Sequence, residues 1–531
     1  MPTDCISYQE SGYFTSLIND YLNQNPDIQS LYHRFSSLEN FEKQLFEKEK
    51  KFNSDITKRK TLLSVLEKQY SNLSVSDLTK WNIMALENPK TFTITTGHQL
   101  NLFTGPLYFL YKIVSTINLT KQLKLKYPEY NFVPIYWMAT EDHDFEEINY
   151  FNLHGKKVRW NTENGGPVGR LSTKGLEEVF EVFSLELGIG KNAEYLKKLF
   201  EESYVSHNNL ADATRFLANE LFGKTGLVIL DADSAELKKH FAPYAQEELL
   251  KQTSHKKVLE TSEKLKNYNI QVNPREINLF YIENDLRERI ILQNGFYYVN
   301  NTELKFTETE ILKLLETHPE KFSPNVIMRP LYQEVILPNL CYIGGGGELA
   351  YWLELKSYFE SSDVPFPILL LRNSVLLATE KQAKKADRLN LSWKDLFSKQ
   401  QDLMNAKVRS FSEFSIDLSA QKIFLRQQFD NLNKIAEQTD KSFTGAVKAQ
   451  EVKQIKGLEN LEKRLLKAEK KKHQEELERI SDLQNELFPN QSLQERIINF
   501  SEFYLGYGEV LLDKLFEELH PLEQEFKIVI L

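Results

Sequence analysis

Cysteine is nearly missing from this chain: 531 residues hold only Cys5 and Cys341. So far apart, the two match neither a zinc-ribbon spacing nor a disulfide framework, and they suit a reducing compartment. Long apolar runs are missing too. No stretch approaches the ~18 uninterrupted apolar residues of a spanning helix, and the first residues, MPTDCISYQESGYF, show no basic segment followed by an apolar one. The expectation is a soluble, cytoplasmic protein without a membrane partner. Nor is there a basic surplus. Sixty-six Lys and Arg against 75 Asp and Glu give a net charge of −9, so no general positive field exists to hold nucleic acid, although a local basic pocket stays open. Glycine (21) and proline (17) are sparse, and 41% hydrophobic with 27% charged residues describes a folded chain rather than a disordered or fibrous one. At roughly 150 residues per domain, there is room for two to four domains.

Residues 1–90 are polar, with apolar positions at helical spacing (Leu31, Phe35, Leu38, Phe41, Leu45), and read as a helical lead-in packed on the core. The run TFTITT at 91–96 is β-rich and ends at Gly97. Leu107, Leu110, Tyr111, Val114 and Ile117 then repeat at helical intervals, and VPIYWMA at 133–139 is apolar enough to be covered on both faces. This is a βαβ unit. Further strand-like runs at 227–230, 279–282, 290–292, 296–299 and 368–371, with helical stretches between several of them, extend it into an α/β core over 91–375. The loop NTENGGPVG at 161–169 marks an excursion, a small inserted subdomain reaching to about residue 220. Beyond 376 strand patterns are expected to vanish. The region 376–490 reads as an α-helical coiled-coil domain with two antiparallel helices, about 416–438 and 445–488, because the thin apolar seam shifts phase between Ala468 and Leu477. Residues 491–531 are expected to form a C-terminal helical return.

Three segments carry candidate chemistry. In the first, TTGHQLNLFTGPLYFLYK (95–112), Gly97 and Gly105 flank a strand-to-helix turn whose amides attract an anion; His98, Gln99 and Thr104 add donors and Lys112 a charge. It is neither a Walker A loop nor GxGxxG, and an ordinary tight connection fits the same residues. The second is Glu141-Asp142-His143-Asp144, where the second strand of the βαβ unit ends. Ligands gather beyond the carboxyl ends of such strands. Three carboxylates beside an imidazole can orient an amine, take its proton or hold Mg²⁺, and their mutual repulsion tends to raise one pKa. A solvated turn capping the next helix is the plainer alternative, and no matching His spacing supports zinc. The third, 323–352, holds four consecutive glycines, of which Gly345 and Gly346 let a ligand come close. Arg329 and Gln333 can reach a carboxylate, and Glu348 stands at the mouth of the following helix. Arg372, just after the strand at 368–371, is a fourth candidate, and a structural ion pair suits either arginine equally.

These segments, TGHQLNLFTGPLYFLYK, IYWMATEDHDFEEIN, SPNVIMRPLYQ with LPNLCYIGGGGELAYW, and the ending NFSEFYLGYGEVLLDKLFEELHPLEQEFKIVIL, resemble the cysteine-adding ligase family of bacillithiol biosynthesis in the family's order. The resemblance implies a Rossmann-like core with inserted connecting segments, plus a C-terminal α-helical coiled coil that mediates a homodimer. It implies a ligase joining cysteine to glucosaminyl malate, with ATP, accompanied by magnesium, as the source of activation and no tightly bound transition metal. Gly97, His98, Gln99, Thr104, Gly105 and Pro106 would line the substrate or nucleotide cleft, with Asp142, His143 and Asp144 facing it. The family commonly has Gln where this chain has His98, which implies a hydrogen-bonding role there. Asp142 or His143 would accept the amine proton, and Arg329 or Arg372 would bind a carboxylate. Two other readings remain open: a metal-dependent hydrolase using the acidic quartet, and a non-catalytic coiled-coil assembly protein.

Overall fold

The computed structural model describes residues 4–53, 55–162 and 165–531. Its centre is a five-stranded, all-parallel sheet of β1 (Thr91–His98), β2 (Asn131–Met138), β3 (Val228–Asp231), β4 (Asn339–Gly344) and β5 (Ile368–Leu371). Every residue of β1 is buried, as its β-branched composition and central place require. Strand order is β5-β4-β1-β2-β3. The chain steps outward from β1 to β3, then returns to β4 on the other side of β1, which makes the gap between β1 and β4 the topological switch point of a Rossmann-like sheet. Helix α1 (Tyr108–Lys126) links β1 to β2 and packs on both. Its buried residues include Phe109, Ile113, Val114 and Ile117.

Two insertions interrupt the sheet. Between β2 and β3 come the hairpin Tyr150–Leu153 and Lys156–Arg159 and the helices Leu176–Leu187, Lys191–Phe200 and Leu210–Phe222. The expected excursion over 161–169 enters this unit, although Glu163 and Asn164 lie outside the described residues. Its end is stitched back to the β2 tip, with the Val168 amide donating to Asp142 O at 2.7 Å and the Gly169 amide to Thr140 O at 2.8 Å. The second insertion, between β3 and β4, opens with α2 (Ala235–Lys251) and contains a separate antiparallel sheet, Lys305–Phe306, Phe296–Val299, Leu286–Gln293, Leu279–Glu283 and Phe322–Pro324 in spatial order. The strand runs at 279–282, 290–292 and 296–299 therefore belong to this insertion and not to the parallel sheet. Helix α3 (Arg329–Ile336) leads into β4, and α4 (Gly346–Leu353) follows it.

The chain ends depart from a purely helical reading. Asp4–Ser7 pairs antiparallel with Glu525–Ile530, which pairs in parallel with Ser374–Ala378. The lead-in thus opens on a strand, strand structure continues past 376, and the return segment closes on a strand after its helices Phe500–Tyr507 and Val510–Glu518. Runs of four to six residues carry little periodicity; pairing across the full length of the chain defines them. In the C-terminal domain α5 (Ser419–Ala436) lies antiparallel on α6 (Lys441–Lys472), and α7 (Gln474–Leu487) follows a break at His473. The break falls where the apolar seam changes phase. Ile480, Leu483 and Leu487 of α7 join the main core, Leu477 packs with Val408 and Ile416 in a cluster of its own, and α5 with most of α6 projects beyond them. Among the described residues no helix is long and apolar enough to cross a membrane.

Candidate active site

Beyond the carboxyl ends of β1, β2 and β4 lies a hollow of about 550 Å³. Gly97 and His98 of the β1 tip and residues 137–142 around the β2 tip line it together, as do Tyr342, Arg329, Glu348 and Tyr351 near the β4 tip. Parallel register sets Gly97 opposite Trp137 and His98 opposite Met138, so the amide-bearing and acidic tips are neighbours. The far wall comes from the second insertion, through Asn273, Arg275, Phe280, Arg287 and Arg289.

A buried ion pair forms the floor. Lys112 of α1 reaches back under β1, its Nζ donating to Gly97 O at 2.6 Å and pairing with Glu348 Oε1 at 2.5 Å. Glu348 also accepts from Tyr342 Oη at 2.7 Å and from the Gly345 amide at 3.1 Å, which caps α4. Burial alone would raise the Glu348 carboxyl, but Lys112, Tyr342 and this amide hold it below the ordinary range. Desolvation in turn lowers Lys112, against the pull of Glu348. Gly97 has a steric reason to be glycine: a Cβ there would meet Tyr342 Oη at 3.1 Å and Arg329 Nη1 at 3.4 Å. Arg329 donates to Tyr351 Oη at 2.6 Å. Burial opposes its charge, yet Tyr351, Tyr342 and Glu348 hold its pKa above the usual value.

The charges do not cancel. Glu348 is paired with Lys112, and Glu141 with the buried Lys238, which also holds Asp233 at 3.0 Å. Arg275, Arg287, Arg289 and Arg329 line the hollow and form no ion pair among the described residues. Asp142 is the acid left to face them. It accepts from Gln99 Nε2 at 3.2 Å and from the His143 amide at 2.8 Å. Burial pushes its carboxyl up, but Gln99, the charge of Arg287 and His143 outweigh this and keep it below the ordinary range. The hollow is thus built for anions.

Of the other residues named from the sequence, His98 lines the hollow and the rest lie at its rim or away from it. His143 sits at the rim, its Nδ1 accepting from Arg287 Nη1 at 2.6 Å; burial and that guanidinium lower its pKa against the pull of Asp142 and Asp144. Asp144 caps the short helix Phe145–Ile148, with Oδ1 accepting from the Glu147 amide at 3.4 Å. The repelling acid cluster expected here is dispersed, since Glu141 goes to Lys238 and Asp144 to the cap. Among the described residues no group of three or more His, Cys, Asp and Glu converges as a metal site. His98 is buried between Tyr108 and Phe109, with its Nε2 unpartnered and its pKa driven well down by burial and then by Lys112.

Thr104, Gly105 and Pro106 do not face the hollow. Phe103, Thr104 and Gly105 all have positive φ, and this strained turn is pinned by Asn499, whose Nδ2 donates to Phe103 O at 2.7 Å and Gly105 O at 2.6 Å. Pro106 bridges to Asn499 as well. Gln333 is fully buried away from the hollow, donating to Glu334 Oε1 at 3.1 Å. Arg372 is spoken for by Glu495, at 2.6 Å with both side chains buried, and lies behind Tyr108. Gly345 and Gly346 form the turn into α4, where the Gly345 amide is already taken by Glu348. The insertion arginines escaped sequence reading, although a signal exists: Arg287 and Arg289, two apart on one strand, share a face.

Comparison with known proteins fits this architecture. Residues 1–373 match the family described as "Bacillithiol biosynthesis BshC, N-terminal Rossmann-like domain", and residues 375–531 match "Bacillithiol biosynthesis BshC, C-terminal coiled-coil domain". A Flavobacterium johnsoniae protein named "Putative cysteine ligase BshC" is 66% identical over 529 residues, covering 100% of both chains. Proteins of the same name from Flavobacterium psychrophilum (66% over 529 residues, 100% of this chain and 99% of that one) and Christiangramia forsetii (62% over 535 residues, with the same coverage) align equally fully. With both domains matched and these relatives aligned end to end, the chain belongs to the BshC family.

Proposed function

We propose that this protein is a ligase joining the carboxyl of cysteine to the amine of glucosaminyl malate, the amide-forming step that yields bacillithiol. The observation that carries the reading is the surplus of arginine around the hollow, beside a family whose named members are cysteine ligases. Glucosaminyl malate brings two carboxylates, and an activating nucleotide brings phosphates; both suit guanidinium forks. A free carboxylate does not condense with an amine, so ATP is the expected source of an activated cysteinyl group. Any magnesium would come with its phosphates, with Asp142 the wall carboxylate placed to share it.

In this mechanism the floor and arginines hold the reactants, and the unprotonated sugar amine attacks the activated acyl carbon. The new C–N bond forms as the leaving oxygen departs with the electron pair of the broken C–O bond. The amine N–H grows acidic as nitrogen gives up its lone pair, so Asp142, though a weak base, can orient it and take the proton. His143 has its Nδ1 engaged by Arg287 and is assigned no proton transfer. Arg372 is assigned no substrate.

The projecting α5–α6 hairpin leaves Ile423, Phe424, Ile435, Val452 and Leu461 exposed, and we assign that seam to a homodimer. Cys5 and Cys341, both free, fit a reducing cytoplasm. The test is direct. Purified protein is incubated with cysteine, glucosaminyl malate, ATP and magnesium under reducing conditions, and bacillithiol is sought by mass together with nucleotide consumption. Finding neither overturns the reading.

A further inference from the structure

The connection 266–277, between the helix Thr253–Lys264 and the strand Leu279–Glu283, has no regular structure and is largely exposed, yet it carries Asn273 and Arg275 to the rim of the hollow. Its far end is locked. Asn278 Oδ1 accepts from the Arg275 amide at 3.1 Å, and its Nδ2 donates to Arg275 O at 2.8 Å. The same residue is bonded through its amide to Glu248, a carboxylate that also takes the Ser254 amide and hydroxyl. Its near end is tied by Tyr268 Oη, which donates to Asp20 at 2.7 Å.

Between these ties stands Glu354, buried just past the C-terminus of α4, the helix whose N-terminus forms the floor of the hollow. Its Oε1 accepts from the Gln271 amide at 2.7 Å and the Val272 amide at 3.4 Å, while Oε2 is buried without a partner. Unlike Glu248, this carboxylate is half satisfied. It also sits at the negative end of a helix dipole, where an acid is disfavoured. Such a residue adds little to stability, and its reach to the strap is what its position accomplishes. We propose that Glu354 is a positioning residue that seats the 266–277 strap, and so sets Asn273 and Arg275 for the anionic substrate; the substrate half of this rests on the ligase reading above.

Burial pushes the Glu354 carboxyl up to about 7, the two amides pull the other way, and no charged side chain acts on it among the described residues. Because the buried site favours the protonated form relative to an exposed carboxyl, seating is firmest at low pH and weakens as pH rises through about 7. The experiment combines Glu354→Gln, which keeps an acceptor but cannot titrate, with Glu354→Ala, which keeps neither. Hydrogen exchange of peptides spanning 266–277, corrected for intrinsic rate, is followed at pH 6 and 8 in the full-length protein. Kinetics with glucosaminyl malate are run beside it. In the wild type, protection at 271–272 should fall severalfold between the two pH values; in Glu354→Gln it should be flat. In Glu354→Ala it should be lost at both, with KM for glucosaminyl malate raised about tenfold and kcat changed less than about twofold. Protected amides in Glu354→Ala, or lost protection with unchanged KM, would overturn the proposal. If Glu354→Ala does not fold, a Glu354→Gln protein as pH-dependent as the wild type does so instead. A wild type that makes no bacillithiol sinks the ligase reading, while the exchange result still decides whether Glu354 seats the strap.

Discussion

Lys112 and Glu348 meet at 2.5 Å beneath the switch point, tying α1 to α4 under the sheet tips. Since Lys112 also holds Gly97 O, one buried cation fixes the β1 tip and the helix that follows β4. Removing one partner of a buried pair strands the other, at a cost of about 3–5 kcal/mol. Lys112→Met should therefore lower the melting temperature by several degrees and abolish ligation. Glu348→Gln keeps an acceptor for the Gly345 amide but strands the buried Lys112, so it too should melt several degrees below the wild type. A Lys112→Met protein with wild-type melting and activity would contradict this account of the floor.

Arg329 and Arg372 look alike in sequence, each a lone arginine near a strand of the sheet, but the structure separates them. Arg329→Lys keeps a charge and loses the planar fork, so KM for an anionic substrate should rise roughly 10- to 100-fold with little change in stability. Arg372→Met leaves Glu495 buried without its partner, so stability should fall by about 3–5 kcal/mol while KM in the folded fraction stays near wild type. Thermal melts and steady-state kinetics on both variants distinguish the two roles.

That contrast shows how much of the site was legible in the sequence. The β1 and β2 tips could be read because an apolar, β-rich run ending in a turn is a local signal, and the parallel pairing of the two strands then makes neighbours of Gly97 and Asp142. β4 hid in plain view: NLCYI runs straight into four glycines, which read as a loop although Gly344 ends the strand and Gly346 opens α4. The partners of Arg372, Phe103 and Gly105 lie more than a hundred residues away, at Glu495 and Asn499, and long-range pairing leaves no trace in local pattern. Glu141 likewise found Lys238 across an insertion. Hence the residues that looked most catalytic together, the acidic quartet, are the ones tertiary structure divided.

Asp142 and His143 should also part company in kinetics. Asp142→Asn removes the wall carboxylate and should cut kcat on the order of 10²-fold. His143→Ala only frees Arg287 at the rim and should cost far less. Gln99, Arg287 and His143 hold the Asp142 carboxyl below the ordinary range against burial, so its titration is expected below that of the substrate amine. The acid limb of kcat/KM should then follow the substrate amine and rise with pH as that amine loses its proton. A pH profile for wild type and His143→Ala tests this; an acid limb that moves when His143 is removed would return the imidazole to the mechanism.

The projecting hairpin gives the last test, and the structure dictates where to cut. Deleting the whole coiled coil through 488 would strip Ile480, Leu483 and Leu487 from the main core and confuse dissociation with unfolding. Lys422 and Glu462 are ion-paired across the base of the hairpin. Excising 423–461 and joining the ends with a short Gly-Ser linker therefore removes the exposed seam and keeps the base and α7. An isolated two-helix hairpin buries only one side of each seam, and the apolar side chains left outward are covered when a second copy packs against them. The excised protein should be a monomer by light scattering, with the melting temperature of its core little changed at high dilution. A dimer that survives the excision would mean that some other surface holds the two copies together.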